Sequence, residues 1–75
     1  MLELTNIKIL PDFKIEVSFQ NGEKKTCDLN LFLDKGAFKE LRDLSLFKQI
    51  HNTGFSLEWP NEVDLSSDTL YAIGK

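Results

Sequence analysis

The sequence predicts a small α+β domain: an antiparallel sheet in the order β-β-β-α-β-β-α, with its helices packed on one face. Three observations predict it. Phe13, Ile15, Val17 and Phe19 alternate with Lys14, Glu16, Ser18 and Gln20, the period of two of a strand with one buried face. Asn21-Gly22 follows at once, a strong hairpin signal. The stretch Trp59 to Tyr71 then reads as a strand end, a tight turn at Pro60-Asn61 and a helix capped by Ser66.

The elements follow in order. Ile7 and Ile9 flank Lys8, which predicts a short first strand, and Pro11-Asp12 turns the chain into the second. The loop after Phe19 has two candidate lengths. A two-residue Asn21-Gly22 loop sets Val17 opposite Thr26 and makes the apolar faces disagree. A three-residue loop, Gln20-Asn21-Gly22, sets Ile15 opposite Cys27 and Phe13 opposite Leu29, with Gly22 at the position that wants positive φ. Pattern and turn chemistry both select the second register.

Asp28 or Asn30 caps a helix over residues 31–35, which Gly36 ends. Phe38, Leu41, Leu44 and Phe47 recur at spacings of three. They predict short helical turns over residues 37–48, with Asp43 as an internal cap. Residues 49–51 and 55–59 read as a second hairpin around Asn52-Thr53-Gly54, with Phe55, Leu57 and Trp59 on one face. The last helix covers residues 67–73, docked by Leu65, Leu70 and Ile73 and closed by Gly74.

Seventy-five residues without a linker or repeat make one domain, residues 1–75. Nine Lys and Arg against twelve Asp and Glu leave a net charge of −3, which argues against direct nucleic-acid binding. The N-terminus lacks a signal-peptide pattern, and no apolar run reaches the ~20 residues that span a membrane. One cysteine, Cys27, fits a reducing compartment, so the expected location is cytoplasmic.

The hairpin of Asp12 to Phe19 with Asn21-Gly22-Glu23 resembles part of a known bacterial family. So does the block of Asp28-Leu29, Leu33, Lys35-Gly36, Phe38, Leu41-Arg42-Asp43 and Phe47. Trp59-Pro60-Asn61, Asp64-Leu65 and Thr69-Leu70-Tyr71 resemble its C-terminal signature. The chain is similar over nearly its whole length to the domain-of-unknown-function family 2442. The resemblance implies a small bacterial protein with no agreed enzymatic activity. It also implies a gene arrangement like that of a toxin–antitoxin pair, with a second small protein as neighbour. Some relatives carry an added helix-turn-helix domain, and this sequence ends after the Tyr71 helix.

Candidate chemistry is sparse. Asp28 and Asp64 are read as caps at helix starts; acid–base work is the alternative if the two meet in space. Asp12 and Asp43 are turn and cap residues. His51, the lone histidine, falls at a hairpin end with no nucleophile at diagnostic spacing. One His and one Cys cannot build the usual zinc site, so no metal is expected. Cys27 alternates with core residues and reads as a buried, inert thiol. Gly22, Gly36, Gly54 and Gly74 serve turns and caps, so no cofactor loop is expected.

Trp59, Asn61, Glu62, Asp64 and Tyr71 form the candidate partner-binding group, with Trp59 in the core and Asn61, Glu62 and Tyr71 at the surface. Open strand edges, with the first and third strands as candidates, offer a second route to a protein partner or a homodimer. The leading expectation is a non-enzymatic protein–protein interaction module. Its partner would be another protein, with a small basic one suited to the acidic net charge. The alternative is a small-ligand-binding or enzymatic role using Asp28 and Asp64.

Overall fold

The computed structural model describes residues 1–75. Two three-stranded antiparallel sheets replace the single expected sheet. In the first, β1 (Leu4–Leu10), β2 (Lys14–Phe19) and β3 (Lys24–Asp28) lie in the order β1-β2-β3. In the second, β4 (His51–Asn52), β5 (Ser56–Glu58) and β6 (Asp64–Ser66) lie in the order β4-β5-β6. Between them run a 3₁₀ turn over Leu29–Leu31, a longer one over Gly36–Arg42, and the one-turn helix α1 (Leu44–Phe47). Helix α2 (Ser67–Ile73) ends the fold.

The β2–β3 register is the one the residue pattern selects, with Ile15 opposite Cys27 and Val17 opposite Lys25. Leu29 N–H donates to the Phe13 carbonyl, extending the register by one pair. Gly22 has φ +89°, and its N–H closes the turn onto Phe19 while Phe19 N–H bonds Glu23. The first strand is longer than expected, because it pairs with β2 from Leu4 across an irregularity between Leu4 and Asn6. Phe13 belongs to the turn and not to the strand. Both Asp12 and Phe13 adopt left-handed φ, 63° and 60°. This turn points the Phe13 ring at Phe47, edge to face at 5.1 Å.

In place of the helix expected over residues 31–35, a 3₁₀ turn covers Leu29–Leu31 and the chain continues through turns to Lys35. Asp28 does cap the 3₁₀ turn, accepting from Asn30 N–H. Gly36, at φ +49°, opens the second 3₁₀ turn instead of ending the first. Asp43 caps α1 as expected, accepting from Ser45 N–H and Oγ. Ser66 caps α2 through Thr69 N–H.

The largest departure is β6. Asp64-Leu65-Ser66 pairs with Glu58-Leu57-Ser56, so the chain makes a third strand between the Pro60 turn and α2. Phe55 lies in the turn of the β4–β5 hairpin and is 49% exposed, off the face that Leu57 and Trp59 bury.

One core joins the two sheets. It gathers Ile15, Val17, Phe19 and Cys27 from the first, Leu57 and Leu65 from the second, Leu41, Phe47 and Leu70 from the helical segments, and Leu33 and Trp59 from the turns beside them. Burial of this apolar surface is the main driving force for the fold. The sheets also meet through backbone: Leu4 N–H donates to Gly54 O, and Asn52 Nδ2 to Leu4 O.

Candidate interaction surface

The expected partner-binding residues take up separate places. Trp59 is buried, and its Nε1 donates to the Phe47 carbonyl at 3.0 Å. Asn61 Nδ2 donates to Ala37 O and to Glu40 Oε1, tying the Pro60 turn to the long 3₁₀ segment. Tyr71 lies against the first sheet instead. Its ring meets Phe19 edge to face at 5.2 Å, and Lys25 Nζ sits 3.6 Å above it. The Tyr71 hydroxyl donates to Glu23, and that contact raises its pKa. Glu62 and Asp64 are exposed and make no side-chain hydrogen bond. No contact joins Tyr71 to Asn61 or Glu62, so these residues do not share a patch held together by their own contacts.

Asp28 and Asp64 are not brought together either. Asp28 ends β3, where hydrogen bonds from the Asn30 side chain and backbone hold its carboxyl below the usual range. Asp64 lies in β6 of the other sheet, opposite Glu58, and not at the start of a helix. A cleft of about 330 Å³ reaches Asp28 together with Lys14, Thr26, Leu31, Ile73 and Lys75, but not Asp64. His51 is exposed in β4, opposite Glu58. No three His, Cys, Asp or Glu side chains converge as a metal site would require. Cys27 is fully buried; burial pushes its thiol up to about 11, and Sγ lies 3.4 Å from the Leu70 carbonyl.

The edges of the first sheet differ from one another. In an antiparallel ladder, successive residues direct their backbone groups alternately to one neighbour and the other. Thr26 exchanges both backbone hydrogen bonds with Lys75, each at 3.0 Å, so the outer edge of β3 is partly closed by the residue after α2 and Gly74. Cys27 and Lys25 therefore bond inward to Ile15 and Val17. Ile9 and Ile7 stand opposite these on β1, so their backbone groups point outward. Outward groups of Leu4 are taken by Gly54 and Asn52. Those of Ile7 and Ile9 have no partner in the chain. β1 is thus a seven-residue strand with an open edge.

Beside that edge lies a cleft of about 310 Å³, lined by Ile9, Leu10, Pro11, Asp12, Leu44 and Lys48. Leu44 is 49% exposed there, at the start of α1. Lys8 is exposed and, although paired in register with Glu16, makes no ion pair with it; the chain's salt bridge joins Arg42 to Asp34. The sequence offers the first and third strands as edge candidates without choosing between them. Edge status depends on strand order, which no local pattern carries.

A family described as a protein of unknown function (DUF2442) matches residues 4–75. The chain belongs to this family. The match runs through both sheets, so the edge of β1 and the Pro60 turn both belong to the DUF2442 domain. No curated protein and no solved structure matches the chain. No helix of this DUF2442 domain is long and apolar enough to cross a membrane.

Proposed function

We propose that this domain is a non-enzymatic protein-interaction module that binds a polypeptide partner along the edge of β1. The open backbone groups of Ile7 and Ile9 carry the reading. An unpaired strand edge is a template for an added strand, in which main-chain hydrogen bonds supply affinity and side-chain pockets supply selectivity. The apolar cleft at Leu44 is such a pocket, placed at the end of the edge. A bacterial, cytoplasmic protein paired with a second small protein, in the antitoxin-like arrangement that the family resemblance implies, is the setting in which this module would work. A net charge of −3 favours encounter with a basic partner at long range.

The test is capture from native lysate by the wild-type chain, Ile7→Pro and the double variant Asn61→Ala/Tyr71→Ala. Proline at position 7 removes an outward N–H and no bond of the internal ladder, so the sheet keeps its pairing. Circular dichroism checks that each variant is folded. One stoichiometric protein retained by the double variant and lost by Ile7→Pro supports the edge. Loss only in the double variant moves the surface to the Pro60 turn and α2. A ligand-binding role through Asp28 predicts no stoichiometric protein at all.

A further inference from the structure

The β1 edge also constrains what sits on it, and this step rests on the edge-binding reading. We infer that β1 takes an extended peptide segment of another protein in which an acidic residue lies between two apolar ones. The alternation of the strand dictates the pattern. Ile7 and Ile9 share the face of Ile15 and Val17, whereas Lys8 points to the opposite, exposed face. An added strand therefore presents an apolar side chain beside Ile9, next a side chain beside Lys8, and then another apolar one beside Ile7.

The residue beside Ile9 falls at the cleft with Leu10, Pro11 and Leu44. That apolar pocket accepts its side chain; Lys48 and Asp12, of opposite charge, both line it, so the charge preference rests on Lys8 alone. Lys8 has no ion-pair partner in the chain, so a carboxylate beside it gains an opposite-charge cross-strand pair.

A second copy of the chain fits less well. Pairing two β1 strands about Lys8 places two ammonium groups side by side. Pairing them about Ile7 drives Leu10 and Pro11 of one copy into the Asn52–Gly54 segment that already occupies Leu4 of the other. Pairing about Ile9 leaves only a short overlap before Pro11.

The test is titration of the full chain with two capped peptides, Thr-Val-Glu-Val-Thr and Thr-Val-Lys-Val-Thr, followed by amide chemical shifts and hydrogen exchange. The Glu peptide is expected to shift and protect the amides of Ile7 and Ile9. It should bind about two- to fivefold more tightly than the Lys peptide, the scale of one cross-strand charge pair. Lys8→Glu should reverse that preference, and Ile7→Pro should remove binding of both peptides. Equal binding of both peptides at β1 overturns the charge pattern and leaves the edge reading standing. No response at Ile7 and Ile9 from either peptide overturns both. Protection of these amides that grows with chain concentration alone identifies a second copy as the occupant and also overturns the inference.

Discussion

Asn21 and Asn61 occupy equivalent positions in two turns of one geometry. In the first, Phe19 N–H bonds Glu23 O, and Gly22 N–H bonds Phe19 O. In the second, Trp59 N–H bonds Val63 O, and Glu62 N–H bonds Trp59 O. Each asparagine side chain accepts from the backbone N–H two residues on, Glu23 and Val63. Gly22 and Glu62 then fill the same left-handed position, at φ +89° and +69°. The Pro60 turn is therefore a hairpin loop like the first, and it explains why Asp64-Leu65-Ser66 returns as a strand.

The two turns predict opposite responses to opposite substitutions. Glu62→Gly relieves a left-handed conformation that costs a side-chain-bearing residue about 1–2 kcal/mol, less the extra unfolded-state freedom of glycine. The urea midpoint should rise by the equivalent of about 0.5–1 kcal/mol. Gly22→Ala should lower it by about 1 kcal/mol. An added Cβ at Gly22 meets no atom within 4 Å, so that cost is purely conformational. A fall for Glu62→Gly would show that the Glu62 side chain contributes more than its backbone strain costs.

Gly74→Ala should detach the end of the chain from β3. Its φ suits any residue, but a Cβ there would lie 2.6 Å from Lys25 Cβ and 3.0 Å from the Leu70 carbonyl oxygen. Relief requires the backbone to move, which breaks the Thr26–Lys75 pair. Hydrogen exchange at the Thr26 amide should accelerate at least about tenfold, the equivalent of about 1.4 kcal/mol of local opening. Exchange at Ile15 and Cys27 should change less. Unchanged protection at Thr26 would mean that Lys75 does not hold this edge.

Ser67→Ala should stabilise the protein or leave it unchanged. Ser67 is fully buried at the start of α2, and its hydroxyl has no hydrogen-bond partner. A buried polar group without a partner costs about 1–3 kcal/mol. Alanine also fits the first helical turn better. Thermal unfolding should show a higher midpoint. A loss above about 1 kcal/mol would point to an ordered water that satisfies the hydroxyl.

The sequence made the first hairpin legible down to its register. Period-two alternation and Asn21-Gly22 are both local signals, and they agree with each other. The caps at Asp28, Asp43 and Ser66 were legible for the same reason. β6 was not, because three residues give only one alternation, and Glu62 stands where a glycine would have announced the turn. Gly36 misled because its positive φ serves equally to end one turn or to open the next. The contacts of Tyr71 with Glu23 and Lys25 span 48 and 46 positions, beyond the reach of any local pattern. The choice between β1 and β3 as the open edge was hidden too, since Thr26 and Lys75 meet only in the folded chain.

Stability should fall with alkaline pH through Cys27. Its thiol rises from an ordinary 9.0 to about 11, because burial among core residues disfavours the thiolate. Below pH 9 the folded and unfolded chains both hold the proton, so the full stability is present. Between 9 and 11 the unfolded chain releases it while the folded chain retains it, and stability drops as pH climbs through that window. The total loss is on the order of 2–3 kcal/mol once both states are ionised. Tyr71 adds to the same limb, because its bond to Glu23 also raises its pKa. Urea unfolding from pH 8 to 11 separates the two: Cys27→Ala should flatten one part of the slope and Tyr71→Phe the other. The buried thiolate is scarce at neutral pH, so Cys27 in the folded chain should resist a disulfide reagent at pH 8 and react once urea exposes it. Rapid reaction without denaturant, or an alkaline limb unchanged in Cys27→Ala, would show that the core around Leu70 opens to solvent far below the global unfolding barrier.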